Sequence, residues 1–299
     1  MKFVPKKIAL CALIGLALPM SAHATALLQN AYVKAGVSDY GTLGSNGNTS
    51  PGILFDSTGT SSYGINDFLT PGTPFEGFYI TSTSPARSYY SNNSGGGVFS
   101  FVLTQNSATS VTAEGVSSDN LFGIKNEYSL TTVGGRSVIA ITTTLTNKSD
   151  LGLTGLKFLR TTDPDPDVNA YGSYSTDNVV VSADEACGTG VSSGQTICIF
   201  TDSAFTHKAG VSSGWSQNPN DYLVGTNSGN GDFAIGVGFD LGGLGAGQSL
   251  TLTYGYALGA TRDDATSGGG TVPEPMSALL LGTGLMGLAF SRRRRQIKA

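Results

Sequence analysis

The sequence predicts an all-β body folded as an antiparallel β-sandwich, with an N-terminal signal helix before it and a single C-terminal transmembrane helix after it. Short stretches of alternating polar and apolar residues recur along the chain, rich in the β-branched and aromatic side chains that strands favour. Glycine-rich turns separate them, and no long amphipathic helical pattern interrupts residues 25–260.

These patterns divide the chain into four parts. The predicted parts are a signal peptide at 1–24, an extracytoplasmic β-sandwich domain at 25–260, a flexible linker at 261–271, and a sorting segment at 272–299 that contains the transmembrane helix at 276–290.

The N-terminus has the three regions of a secretory signal peptide. Three lysines within the first seven residues precede an apolar run at 8–20. Ala22 and Ala24 then supply the pattern of two small residues that signal peptidase accepts. We therefore predict cleavage after Ala24 and export of the remaining chain.

The clearest strand signal is a hairpin formed by residues 127–133 and 137–145 around Gly134 and Gly135. Glycine accepts the positive φ angles that tight hairpin turns require, so the turn has a physical basis. Further strands are predicted at 77–82, 98–104, 156–161, 179–182, 197–201, 233–239 and 250–258.

Two cysteines remain in the body after the signal peptide is removed. An exported protein meets an oxidising compartment, so we expect Cys187 and Cys198 to form a disulfide. The short loop that they close is worth about 3 kcal/mol in the chain-entropy model. A zinc site is the weaker alternative, because zinc needs four ligands and only His207 lies nearby.

The net charge of the exported body excludes one class of partner. Residues 25–272 contain 20 acidic and nine basic side chains, a net charge of −11. Nucleic-acid binding depends on clustered Lys and Arg, and the body has no such cluster. We therefore predict no nucleic-acid partner.

The most concentrated charge is the run from Asp163 to Asn169, where prolines alternate with aspartates. Residues two apart in an extended chain share one side, so Asp163, Asp165 and Asp167 are predicted to converge on a calcium ion, with Asn169 or Asp177 adding ligands. The alternative is a solvated acidic turn, since Asp and Pro are common turn formers. No other cofactor is predicted.

No catalytic constellation stands out. The G-x-S-x-G sequences at 190–194 and 210–214 lack the following helix that a nucleophile elbow needs, so we interpret them as loops. A glycosidase needs two carboxylates at about 5 to 9.5 Å, and the sequence selects no pair.

Two features point towards carbohydrate. Residues 72–77 loosely resemble the large supersandwich domains of carbohydrate-processing proteins. Several aromatic side chains are also candidates for stacking on sugars, although aromatic residues equally fill the cores of sandwich domains. These candidates are Tyr89, Tyr90, Trp215 and Tyr222.

The C-terminus combines a short polar motif, an uncharged apolar run and a basic cluster. As a helix, the apolar run would be about 22 Å long, somewhat shorter than a hydrocarbon core of about 30 Å. Arginines at its end favour the cytoplasmic side and place the body outside the cytoplasm. The three parts are Pro273, Glu274 and Pro275, then residues 276–290, then Arg292, Arg293, Arg294 and Arg295.

This order of parts resembles the PEP-CTERM sorting signal of Gram-negative bacteria. The resemblance covers the tail alone, and it implies processing by a membrane-embedded exosortase near the Pro-Glu-Pro motif. It also implies an association with exopolysaccharide or biofilm. The precursor is then expected to be anchored in the inner membrane with a periplasmic body, which later reaches the cell surface or the medium.

From these features we expect an exported, non-enzymatic protein of the cell envelope or extracellular matrix. Its expected partners are signal peptidase, an exosortase-like enzyme, the membrane through the C-terminal helix, and exopolysaccharide. The alternative is a secreted carbohydrate-binding module or carbohydrate-active enzyme.

Overall fold

The structure is a computed structural model that describes residues 25–47, 49–70, 75–225 and 228–266. Two large antiparallel sheets face each other, and a small third sheet shares their apolar core. The body is thus built mostly from antiparallel strands in a sandwich-like arrangement, in agreement with the predicted fold class. The predicted signal helix and transmembrane helix lie outside the described residues.

Eighteen strands and three short helices make up the described part of the chain. The strands are β1 (Ala26–Gln29), β2 (Val33–Val37), β3 (Ile53–Phe55), β4 (Phe75–Thr83), β5 (Ala86–Asn92), β6 (Gly96–Gly97), β7 (Phe99–Ser107), β8 (Ser110–Ser117), β9 (Phe122–Val133), β10 (Arg136–Asn147), β11 (Leu153–Asp163), β12 (Thr176–Ser182), β13 (Glu185–Gly190), β14 (Thr196–Phe200), β15 (Thr206–Ser212), β16 (Gly229–Gly231), β17 (Ala234–Leu244) and β18 (Ser249–Gly259). The helices are α1 (Val168–Tyr171), α2 (Pro219–Val224) and α3 (Arg262–Thr266).

The order of strands in the sheets differs from their order along the chain. The nine-stranded sheet runs β16-β12-β13-β14-β18-β10-β9-β8-β7, and the six-stranded sheet runs β15-β17-β11-β4-β5-β6. Strands β1, β2 and β3 form the small sheet. Strands that are distant in sequence, such as β4 and β11, therefore lie side by side.

The predicted hairpin is present as β9 and β10. Val133 pairs with Arg136, so Gly134 and Gly135 form the whole loop, with φ angles of 56° and 86°. A two-residue loop with both φ angles positive matches the twist of the flanking strands. Each of the other predicted strands also overlaps a strand of the structure.

Cys187 and Cys198 face each other across β13 and β14 and form the predicted disulfide, with an Sγ–Sγ distance of 2.02 Å. Both side chains are buried beside Val138 and Ala257. The bond thus joins two neighbouring strands of the nine-stranded sheet.

The predicted linker begins too early in the chain. Residues 262–266 form α3, and the side chain of Ala265 is completely buried. The guanidinium of Arg136 donates a hydrogen bond of 3.0 Å to the carbonyl of Ala265. Packing against β18 and β14 therefore extends the ordered body through residue 266, because this helix covers an apolar cluster that the local composition does not reveal.

An ion pair lies between the two large sheets. Glu76 on β4 and Arg160 on β11 are both fully buried, and the Arg160 Nε donates to Glu76 Oε1. The Glu76 carboxylate also accepts hydrogen bonds from the backbone N–H of Leu43 at 2.7 Å and the hydroxyl of Tyr256 at 2.9 Å. Burial raises the pKa of Glu76, and the charge of Arg160 opposes that shift.

Candidate functional site

The outer face of the six-stranded sheet carries a group of aromatic side chains. Successive residues of a strand point to opposite faces, so β4 directs Glu76 and Phe78 into the core and Phe75 and Tyr79 outwards. Tyr79 pairs across the sheet with Tyr90 of β5, which places both rings on the same outer face.

Four rings follow one another along this face, and we call them the aromatic row: Tyr90, Tyr79, Phe75 and Trp215. The centroids of Tyr90 and Tyr79 are 6.3 Å apart, with ring planes inclined by only 12°. The Tyr79 and Phe75 centroids are 6.4 Å apart, and those of Phe75 and Trp215 are 5.9 Å apart. The four rings therefore contact one another in an unbroken series along this face.

The two ends of the aromatic row are accessible and its middle is buried. Tyr90 is 42% exposed and Trp215 is half-buried, whereas Phe75 and Tyr79 lie beneath them. The Tyr79 hydroxyl accepts a hydrogen bond of 3.0 Å from the amide of Asn92. Burial raises the pKa of Tyr79 to about 12, so its hydroxyl stays neutral at physiological pH.

Helix α2 covers the neighbouring part of the same face. Tyr222 of this helix is fully buried, and its hydroxyl lies 2.9 Å from that of Thr161. Gly236 and Gly238 of β17 leave room for the helix, since a Cβ at Gly236 would lie 2.7 Å from the Tyr222 ring. The helix thus packs over β17, β15 and β11 on this face.

Trp215 is held in an unusual backbone conformation. Its φ angle is +51°, in the left-handed region that costs a non-glycine residue about 1–2 kcal/mol. The indole Nε1–H donates a hydrogen bond of 3.1 Å to the backbone carbonyl of Asp232. Such local strain is concentrated at functional sites, where the surrounding contacts maintain it.

An acidic cluster lies beside the Trp215 end of the row. It contains Asp163 at the end of β11, Asp165 and Asp232, whose nearest carboxylate oxygens all lie within 4.8 Å of one another. Asp163 pairs across the sheet with Phe75. Burial and the charges of Asp165 and Asp232 raise the pKa of Asp163 to about 9, and burial and the charge of Asp232 raise that of Asp165 to about 8.

Asp167 is not a member of this cluster, which corrects the predicted set of three aspartates. Its carboxylate accepts hydrogen bonds from the backbone N–H groups of Ser192 and Ser193, at 2.6 and 3.0 Å. The segment after Asp165 turns into α1, so the extended alternation that would have aligned Asp167 with Asp163 ends there.

The other proposed calcium ligands are also engaged elsewhere. The amide of Asn169 donates to the carbonyl of Ile65, and the carboxylate of Asp177 accepts from the guanidinium of Arg262. Asp232 takes their place, and no local sequence pattern identified it because it joins the cluster from a separate segment.

Of the aromatic candidates, the structure brings Tyr90 and Trp215 into one surface and removes the other two from solvent. Tyr89 points into the core beside Phe122, and Tyr222 is buried between α2, to which it belongs, and β17. Tyr79 and Phe75 were missed, although the four-residue spacing within β4 is the signal that places them on one face. The first G-x-S-x-G sequence lies in the turn after β13 as predicted, whereas residues 210–212 of the second belong to β15, which corrects its interpretation as a loop. His207 pairs with Asp184 at 2.9 Å.

The C-terminal tail matches the family model of the PEP-CTERM protein-sorting motif over residues 271–295. This match confirms the resemblance seen in the sequence, and it implies export with membrane-associated sorting and processing by exosortase. Among the residues that the structure describes, no helix has the length and apolar character needed to cross a membrane. The predicted signal-cleavage residues, Pro-Glu-Pro motif, membrane segment and arginines lie outside the described ranges.

No curated protein sequence matches the chain. Among solved structures, a bacterial glucoamylase in complex with acarbose is similar at a TM-score of 0.51 and 10% identity, over 82% of this chain and 34% of that chain. The chain thus spans about a third of the length of the glucoamylase. A galactose mutarotase-like protein from Lactobacillus casei matches at a TM-score of 0.43 and 14% identity, over 79% of this chain and 100% of that chain.

The match to glucoamylase shows that the two proteins share a fold. It also contradicts the prediction that the chain is not an enzyme, which was wrong. That prediction depended on the lack of a recognisable catalytic motif or carboxylate pair in the sequence, and residues far apart in the chain can form an active site without such a local pattern.

Proposed function

We propose that this chain is an exported carbohydrate-recognising protein whose ligand lies along the aromatic row. The observation that supports this proposal is the row of four contacting rings on the outer sheet face, where Tyr90 and Trp215 at the two ends are accessible to a ligand. A sugar ring presents apolar C–H groups on its faces, and exposed aromatic rings offer matching flat apolar surface. The shared fold with part of a glucoamylase agrees with a carbohydrate ligand.

The charge of the body favours a neutral glycan. The net charge of −11 over residues 25–272 repels an anionic polymer at long range. A neutral glycan is not subject to this long-range repulsion.

The route to this ligand begins with removal of residues 1–24 by signal peptidase. The body then folds in the periplasm as one domain, residues 25–266, while the tail is held in the inner membrane. Exosortase processing releases or transfers the body to the cell surface or medium, where exopolysaccharide is the available glycan. Intact mass spectrometry of the protein from its native host tests this route, since a retained tail beyond residues 273–275 would contradict it.

The binding test uses the mature protein and a panel of soluble neutral and anionic polysaccharides, measured by affinity electrophoresis and calorimetry. We expect Trp215→Ala and Tyr90→Ala each to weaken binding at least tenfold, which corresponds to about 1.4 kcal/mol. Tyr32→Ala is the matched control, because Tyr32 is 43% exposed and lies in the turn between β1 and β2, away from the aromatic row. If all three variants bound the glycan with equal affinity, the proposal that the glycan lies along the aromatic row would be refuted.

The same incubations are analysed for newly released sugars. Product formation that the Trp215→Ala change slows would identify carbohydrate turnover on this face, whereas unchanged glycans with tight binding would identify recognition alone.

A further inference from the structure

Three carboxylates converge beside the aromatic row from two separate parts of the chain. Asp163 ends β11, Asp165 follows two residues later, and Asp232 precedes β17. Their nearest oxygens lie within 4.8 Å of one another. Three carboxylates at this separation repel one another when all are ionised, and a cation bound between them would remove that repulsion.

Two of these carboxylates are buried, and their hydrogen bonding is incomplete. Asp163 and Asp165 are each only 3% exposed, and one oxygen of each, Oδ1, has no hydrogen-bond partner within the described part of the chain. A buried carboxylate is normally paired with a cation or bound to a metal, because desolvation of the unpaired charge is unfavourable.

The donor set determines the type of cation. All three side chains offer carboxylate oxygens, which hard divalent ions prefer, and no sulfur or imidazole ligand belongs to the cluster among the described residues. Calcium accepts carboxylates in one-oxygen or two-oxygen contacts, whereas magnesium usually keeps several waters. The burial of Asp163 and Asp165 leaves little space for such waters.

We propose that Asp163, Asp165 and Asp232 bind a calcium ion, and that this ion controls the Trp215 end of the aromatic row. The second part rests on the proposed function. Asp232 accepts the indole hydrogen bond of Trp215 through its backbone carbonyl, and Asp163 lies opposite Phe75 across the strands. Fixing Asp232 with calcium therefore fixes the indole, so glycan binding becomes calcium-dependent.

The metal site is tested by titrating calcium chloride into chelator-treated mature protein. Calorimetry measures binding, and the fluorescence of Trp215, the single tryptophan of the chain, reports on its surroundings. We expect one calcium per molecule and a fluorescence change at the same concentration. Asp232→Asn should weaken calcium binding at least tenfold, and Asp150→Asn, an exposed control on a distant loop, should leave it unchanged.

A second readout covers the buried ligands. Calcium should raise the melting temperature of the wild type and not that of Asp165→Asn. If Asp165→Asn does not fold, the same comparison of melting temperatures is made with Asp232→Asn. Asp232 is exposed, so its replacement should not prevent folding. An absence of calcium binding, or the same affinity in Asp232→Asn as in the wild type, would overturn the metal site.

The affinity for the glycan is then compared in the presence of calcium and in the presence of a chelator. The coupling would be supported if chelator weakened the glycan affinity of the wild type at least tenfold, and if Asp232→Asn showed the same weakened affinity in the presence of calcium. Glycan binding that is unchanged by chelator would overturn the coupling. Calcium binding at the cluster with no glycan bound under either condition would leave the metal site standing and refute the proposed function.

Discussion

Replacement of Arg160 by methionine tests how the two large sheets are held together. Methionine keeps much of the side-chain volume and removes the charge. The Glu76 carboxylate, which has no exposed surface, would then retain only the hydrogen bonds from Leu43 and Tyr256. Breaking a buried ion pair in this way costs about 3–5 kcal/mol, because one charge stays buried without its partner. A domain has about 5–15 kcal/mol of stability in total, so the loss should be large.

The assay is urea denaturation of the wild type, Arg160→Met, Glu76→Gln and the double variant. We expect each single change to be strongly destabilising and the double variant to cost clearly less than their sum, because it leaves no unpaired charge. Lys157→Met is the matched control on the same strand, since its contact with Asp240 is 3.9 Å long and partly exposed. Such a pair contributes about 0–1 kcal/mol.

The reasoning would be refuted if Arg160→Met cost less than about 1 kcal/mol, or if the two single changes were additive. Either result would mean that the Glu76 carboxylate reaches water or takes up a proton without disturbing the sheets.

Two further predictions concern the disulfide and an acidic loop. Reduction, or the double change Cys187→Ala and Cys198→Ala, should lower the free energy of unfolding by about 3 kcal/mol, because the bond closes a loop of 11 residues; equal urea midpoints with and without reductant would contradict this. Hydrogen bonds led by the Thr58 hydroxyl hold the pKa of Asp56 well below its usual range. Its stabilising effect is therefore present above about pH 4 and is lost as the pH falls further. Asp56→Asn should destabilise the protein at pH 7 and less at pH 3, and a constant difference in urea midpoint would disprove the role of the charge.

Much of the fold was predictable from local patterns in the sequence. Alternation of polar and apolar residues predicted β4, β11, β17 and β18, and the two glycines between β9 and β10 predicted their hairpin. The C-terminal sorting motif was likewise a local pattern and was confirmed. These features depend on residues that are close in the chain, so the sequence contains all of the information that specifies them.

The partners of the buried and clustered charges were not predictable. A period of two residues assigns Glu76 to one face of β4, yet it does not say that β11 will lie next to β4 and bring Arg160 beside it. For the same reason Asp167 was grouped with Asp163 and Asp165, whereas the structure brings in Asp232.

The sequence by itself thus determined the β-rich character of the body, its hairpin and its sorting tail. Only the tertiary structure decided which strands are neighbours, and with them the aromatic row, the acidic cluster and the buried ion pair. The physical reason is that strand alternation fixes the direction of each side chain, while the order of strands in a sheet depends on packing between segments far apart in the chain.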